Sequence, residues 1–307
     1  MATWLITHPL FLEHDTGPGH PEAPARLRAI LEALEAPEFE ALERREAEAA
    51  TLDQLCLVHL QSYVEETLAF IPREGLRSID ADTIVSPASG DAALHAAGAV
   101  VQGVDAVMQG EAERVFCAVR PPGHHAERDH AMGFCLFNNV AVGAAHAQRA
   151  HSATRVAVVD FDVHHGNGTQ AMLGGRDGFF YASTHQSPLF PGTGRRQDNR
   201  PNALCNVPLP AGADSEAFRS HFHSEIVSRL IDFDPDIILI SAGFDAHRAD
   251  PLAGLNLTED DFAWATQELT AVADYCCRGR IVSTLEGGYN LTALARSAAA
   301  HVRALMA

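Results

Sequence analysis

Six short runs of this chain are almost wholly apolar, and stretches of helical periodicity lie between them. The runs are 3–7, 114–119, 155–162, 178–183, 236–244 and 280–285, several of them near-continuous Val, Ile, Leu and Phe. A strand covered on both faces reads this way, because neither side of its pleat meets water. The helical patterns fall at 22–35, 90–109, 137–150, 214–232, 259–276 and 291–305. Such alternation predicts an α/β fold, an open parallel sheet with helices on both faces. No repeat and no Pro/Gly/Ser-rich boundary divides the chain, so residues 1–307 read as a single domain. Residues 41–50, charged and alanine-rich, read as an exposed helix.

Composition narrows the function. Hydrophobic residues make up 47% of the chain, ample for a large core. The net charge of −18 argues against sequence-independent nucleic-acid binding, which needs a basic face to displace counterions. The six cysteines show no C-x-x-C spacing and read as buried or inert thiols. No apolar run approaches the ~20 residues of a membrane span, and the N-terminus lacks a signal-peptide pattern. The expectation is a cytoplasmic protein with no membrane partner; oligomeric state is left open.

In open parallel sheets, ligands bind beyond the carboxyl ends of the strands. Four segments occupy such positions. In V-V-D-F-D-V-H-H-G-N-G-T-Q (158–170), a strand's alternation places Asp160, Asp162 and His164 on one face and Phe161, Val163 and His165 on the other. Carboxylates in an apolar strand need a cation or hydrogen-bond donors, so a metal site or a buried hydrogen-bond network is implied. The Gly166-Asn167-Gly168 stretch reads as a turn that reverses the chain. A second apolar run, from Ile237, ends at Asp245, which reads either as a ligand or as a helix N-cap. With Asp162 and His164 it makes an O,O,N set with an open position, the pattern of a catalytic zinc, though such donors also suit ferrous iron. His247 and Asp250 read as loop residues.

The third segment, R-P-P-G-H-H (120–125), presents His124 and His125 from a stiff Pro-Pro-Gly loop, placed to flank a metal-bound water as acid and base. The fourth, T-L-E-G-G-Y-N (284–290), closes the last strand with two glycines before Tyr289. It reads as an ordinary turn or as a mobile support for a phenol that meets a developing oxyanion.

Together these segments resemble the histone deacetylase family, from H-D-T-G-P-G-H-P-E at 14–22 to the Tyr289 loop. The asparagine of H-H-G-N-G and the S-A-G-F-D-A-H run resemble its class II branch. The resemblance implies an arginase-like fold and zinc-dependent removal of acetyl or other acyl groups from acylated lysine or related amines. It implies Asp162, His164 and Asp245 as zinc ligands, His124, His125 and Tyr289 as catalytic residues, and Asp160 as the partner that orients His124. Asp160 would also help hold a structural potassium ion, with Ser183 and the backbone of Asp162 and His164. Phe134 and Phe190 would line a substrate tunnel, and Gly133 would offer its carbonyl to the substrate amide. Leu252 stands where polyamine-selective relatives carry glutamate, which weakens an acetylpolyamine substrate as the alternative. Asn167, the neutral partner of His125, would leave that ring free to act as the base. One departure concerns Ala23, where many relatives carry an arginine after H-P-E, which puts an internal exit channel in doubt. Two rivals are an arginase-like ureohydrolase, which needs two manganese ions, and a non-catalytic acyl-amine binder.

Overall fold

The computed structural model describes residues 2–307. Its spine is a parallel sheet of eight strands, and the six apolar runs are its interior. In chain order the strands are β1 (Thr3–Thr7), β2 (Glu43–Glu46), a small hairpin of β3 (Arg77–Ser78) and β4 (Ile84–Val85), then β5 (Arg114–Cys117), β6 (Val156–Asp160), β7 (Phe179–Gln186), β8 (Leu204–Leu209), β9 (Ile237–Ala242) and β10 (Ile281–Leu285). The large sheet runs β2-β1-β5-β10-β9-β6-β7-β8, and every pairing within it is parallel.

Parallel pairing demands crossovers, and helices supply them. They are α1 (Pro24–Ala33), α2 (Leu52–Leu55), α3 (Gln61–Phe70), α4 (Ser89–Gln109), α5 (Asn139–His151), α6 (Asn167–Leu173), α7 (Ser215–His221), α8 (Ser228–Phe233), α9 (Glu259–Cys277) and α10 (Leu291–Leu305). Successive residues of β10 show that both faces are covered. Val282 packs on Gly103 of α4, whereas the next residue, Ser283, hydrogen-bonds His301 of α10. Residues on the central strands are fully buried, as a doubly covered sheet requires.

Several expectations need correction. Residues 41–50 hold the edge strand β2 rather than a helix. All four residues of β2 are exposed, so no apolar alternation marked it, and its charges protect an open sheet edge. The opposite edge, β8, was not read as a strand because Asn206 and Pro208 interrupt its apolar pattern; an edge tolerates that proline. Segment 214–232 is α7 and α8 joined by a π-helical turn, Phe222–Val227. Gly166-Asn167-Gly168 is no reversal, since Asn167 opens α6. Finally, β6 stops at Asp160, two residues early, where the Asp160 carboxylate takes the N–H of Asp162 and draws the backbone out of the ladder.

Candidate active site

The carboxyl ends of β5, β10, β9 and β6, four neighbours at the middle of the sheet, carry the chemistry. The four loops that follow these strands converge there, together with the start of α6 at Asn167. Asp162 and His164 follow β6, Asp245 follows β9, and one ligand atom from each lies within 4.8 Å of the other two. Both carboxylates are fully buried. His164 Nδ1 stands 3.1 Å from Asp162 Oδ1 and 3.1 Å from Asp245 Oδ2.

The remaining contacts of these groups hold them in place. Asp162 Oδ2 accepts the N–H of Gly287, at 2.8 Å, and Asp245 Oδ1 accepts that of Val163, at 2.9 Å. Two glycines make the approach possible. A Cβ on Gly287 would lie 2.1 Å from Asp245 Oδ2 and 2.6 Å from Asp162 Oδ2, and one on Gly243 would lie 2.0 Å from Asp162 Oδ2. Burial, then the charge of Asp162, pushes the Asp245 carboxyl up to about 7. Burial acts on Asp162 in the same sense, but His124 and His164 outweigh it and hold that carboxyl well below its ordinary value. Burial disfavours a charge on His164, yet the two carboxylates push its ring up to about 10. Two buried anions facing one imidazole nitrogen form an oxygen-rich donor set that a divalent cation fits, three protein ligands with an open side.

The tandem histidines enter from β5. Arg120, fully buried, forks onto both oxygens of Glu22 at 2.5 and 2.7 Å and so fixes the start of their loop. Burial would raise the Glu22 carboxyl, but Arg120 holds it well below the carboxylate range. Glu286, at the end of β10, accepts the N–H groups of Gly123 and His124 at 2.7 and 3.1 Å. Burial pushes its carboxyl up to about 7. From the other side Asn138, the N-cap of α5, donates to the carbonyl of Ala126 at 3.2 Å.

Held in this way, the two imidazoles stack at 4.0 Å between centroids but meet different partners. His124 Nδ1 lies 3.0 Å from Asp160 Oδ2, and His125 Nδ1 lies 2.8 Å from Asn167 Oδ1, the pairings the resemblance implied. Burial disfavours charge on both rings. For His124 the carboxylates of Asp160, Asp162 and Glu286 outweigh burial and raise the ring to about 10. For His125 burial is reinforced by its cationic neighbours His124 and His164, and its pKa falls well below the ordinary value. These opposite shifts favour the charged form of His124 and the neutral form of His125.

Above these groups opens a cavity of about 260 Å³, lined by His124, His125, His164 and Tyr289 at depth and by Phe134 and Phe190 nearer the mouth. Gly133 and Leu252 also line it, so each substrate-contact residue expected from the sequence is present. Phe190 and Leu252 are 42% and 38% exposed, which places apolar surface at the rim. Gly133 has φ +56°, and a Cβ there would meet His125 Cδ2 at 2.6 Å. Asp82, Cys135 and Leu189 line the cavity as well and were not anticipated.

Tyr289 is set by groups that the sequence did not reveal. Asp250 Oδ2 accepts its N–H at 2.7 Å, and Asp250 Oδ1 accepts that of Leu252 at 3.0 Å, so this loop carboxylate ties two cavity walls together. Arg26, on α1, lies 4.9 Å from the Tyr289 ring centroid and donates to the carbonyls of Gly288 and Glu286 at 2.6 and 2.5 Å. Ala23 is the N-cap position of α1, and Arg26 lies one helical turn later on that helix. Its sequence signal is faint: Arg26 shares the buried stripe of α1 with Leu27 and Ile30, whereas Arg28 on the same helix is exposed. Burial raises the Tyr289 phenol well above its ordinary value, so it remains a proton donor.

Asp160 and Ser183 lie opposite one another in the β6–β7 register, both fully buried. Asp160 Oδ2 also accepts from Tyr181, and Ser183 Oγ meets His185 Nδ1 at 2.9 Å. Among the described residues the carbonyls of Asp162 and His164 accept no hydrogen bond. His165 points away, to Thr193 and Gln170, and His247 pairs with Glu259, so neither joins the site.

Comparison with known proteins agrees with this fold. The histone deacetylase domain model matches residues 20–305. An uncharacterized Synechocystis protein is 43% identical, over 96% of this chain and 97% of its own. The histone deacetylase-like amidohydrolase of Pseudomonas aeruginosa is 37% identical, over 89% of this chain and 73% of its own. The crystal structure of the HDA15 HD domain superposes with a TM-score of 0.92 at 34% identity, covering 99% of this chain and 88% of that one.

Proposed function

Because the chain belongs to the histone deacetylase family, a family of deacetylases and amidohydrolases, we propose that it is a zinc-dependent hydrolase that removes acetyl or other acyl groups from acyl-lysine or a related acylated amine. One observation carries the reading: the buried carboxylates of Asp162 and Asp245 converge on His164, which lines a cavity together with His124, His125 and Tyr289. When bound by these three residues, zinc supplies Lewis acidity, which polarises an acyl carbonyl and acidifies water.

The protein's own groups do the rest. His125 Nε2, kept neutral by burial and by its cationic neighbours His124 and His164, accepts the proton of the attacking water and returns it to the departing amine nitrogen. His124, held as imidazolium by Asp160, stabilises the negative charge that develops on the oxygens around the reacting carbon. The Tyr289 hydroxyl donates to the developing oxyanion. Phe134 and Phe190 flank the apolar stem of the acylated side chain, and the Gly133 carbonyl receives the amide N–H. A structural potassium ion would use Asp160, Ser183 and the free carbonyls of Asp162 and His164. The whole chain acts as one catalytic domain in the cytoplasm.

The apolar rim at Leu252 favours acyl-lysine over an acetylated polyamine, whose distal amines carry charge. Deacylation is favoured over ureohydrolysis because, among the described residues, a single three-residue donor cluster stands at the strand tips. The test is a hydrolysis screen of acetyl-lysine peptides, longer acyl-lysines and acetylated polyamines, with zinc added or chelated. Chelator-sensitive hydrolysis of acyl-lysine is expected. Absence of hydrolysis of every acyl amine with zinc present would leave a binding protein.

A further inference from the structure

On α4 and α5, remote from the sheet's carboxyl ends, a second set of metal-binding donors converges. Asp105 of α4 stands with His146 and His151 of α5, one donor atom from each lying within 4.8 Å of the others. His146 Nε2 and His151 Nε2 lie 2.7 and 2.6 Å from the same carboxylate oxygen, Asp105 Oδ1. The catalytic reading uses none of the three. His151 ends α5, whose Asn138 cap holds the tandem-histidine loop, so roughly 12 Å of helix separates His146, and roughly 20 Å His151, from that cap.

The convergence is not a by-product of helical periodicity. Side chains three or four residues apart share a helix face, whereas these histidines are five apart, and the chain leaves the helix at Ser152 with φ +56°. Both rings nevertheless direct the same nitrogen, Nε2, at one oxygen. The histidine side chains are 11% and 17% exposed and that of Asp105 is 38%, so the donors are ordered while one side stays open to solvent. Two imidazoles and a carboxylate suit zinc, nickel or another late first-row divalent ion. In a tetrahedral site with bonds of about 2.0–2.1 Å, donor atoms sit ~3.3 Å apart. The two N···O spacings, 2.7 and 2.6 Å, each reach that with a shift of well under an ångström.

We propose that Asp105, His146 and His151 form a second divalent-cation site, distinct from the catalytic one, in which a zinc ion clamps α4 to α5. Water completes the coordination on the exposed side. Since the ligands come from two helices, the ion binds the folded chain in preference to the unfolded one and stabilises it by mass action.

The test counts metal in the full-length protein after chelator stripping and equilibration with micromolar zinc, for the wild type, Asp245→Ala, His151→Ala and the double variant. Two ions per chain are expected for the wild type, one for each single variant and none for the double. In the Asp245→Ala background, zinc should raise the melting temperature, and His151→Ala should abolish that rise and weaken zinc binding at least tenfold by calorimetry. Asp105→Asn, which keeps the side-chain shape, should repeat the effect and guards against a folding defect in the histidine variant. A wild-type count of one that falls to none in Asp245→Ala would show a hydrogen-bonded cluster only and overturn the proposal. So would zinc binding in Asp245→Ala that neither His151→Ala nor Asp105→Asn alters. The Asp245→Ala count reports on the second site alone, so failure of the catalytic reading would register separately.

Discussion

Replacing Gly287 by alanine adds one methyl group at the point where the two carboxylates of the proposed metal site, Asp162 and Asp245, meet. The new carbon would lie 2.1 Å from Asp245 Oδ2 and 2.6 Å from Asp162 Oδ2, against the roughly 3.4 Å of ordinary contact. Neither carboxylate can rotate away freely. Asp162 Oδ2 is bonded to the N–H of Gly287 itself, and Asp245 Oδ1 to that of Val163. One ligand oxygen must therefore move by more than an ångström. A misplacement of that size costs about 10²-fold in rate even where the residue remains, so kcat/KM should fall at least that far. Metal affinity should fall with it. Overpacking of this kind costs about 1–3 kcal/mol, below the total stability of an ordinary domain, so the fold survives with a melting temperature a few degrees lower. The assay pairs metal content after dialysis with turnover of an acetyl-lysine peptide at saturating zinc, and circular dichroism as the folding control. A folded Gly287→Ala protein with full metal content and wild-type turnover would refute the reasoning.

The remaining expectations concern the walls of the site and the core. Tyr289→Phe should cut turnover at least tenfold, and on the order of 10²–10³ if the phenol is the main oxyanion donor, with metal content unchanged by elemental analysis. Asp250→Ala leaves the Tyr289 N–H without its acceptor, so kcat should fall tenfold or more with zinc binding intact; steady-state kinetics on the folded variant decides this. Glu286→Ala strands two buried N–H donors, and each costs about 1–3 kcal/mol, so urea denaturation should show it several kcal/mol less stable than Glu286→Gln, which keeps an acceptor oxygen. His301, buried between Thr266 and Ser283, has its pKa lowered by burial from 6.5 to about 3. A depressed histidine contributes stability that is whole above pH 6.5 and is lost as pH falls toward 3, because the unfolded chain takes the proton first. By pH 5 the loss from this group is on the order of 2 kcal/mol, and His301→Gln should flatten the acid limb of stability against pH by up to one proton.

Much of this was legible in the residues alone. The apolar runs 237–242 and 281–285 announced buried strands because doubly covered strands have no polar face to show. Asp162, His164 and Asp245 announced themselves because ionised groups at the tips of such strands need a partner. The charged edge β2 stayed hidden for the opposite reason: an exposed strand buries nothing, and only its pairing with β1 defines it. The extent of β6 was overrun because Asp160 ends the ladder with its own side chain, a local competition that periodicity does not register.

Periodicity and the cost of buried charge act over a few neighbouring residues, and on those terms the chain's strands, its crossover helices and its ligand types follow from the sequence. Which distant groups become neighbours depends on strand order and loop path, and these are set only when the whole sheet assembles. Arg26 reaches the backbone of Gly288 across 262 positions, Asp250 clasps Tyr289, and Asp105 meets His146 and His151 only because α4 and α5 pack together. No local pattern encodes those adjacencies, for each is worth a few kcal/mol at most and arises after the core has already chosen the fold.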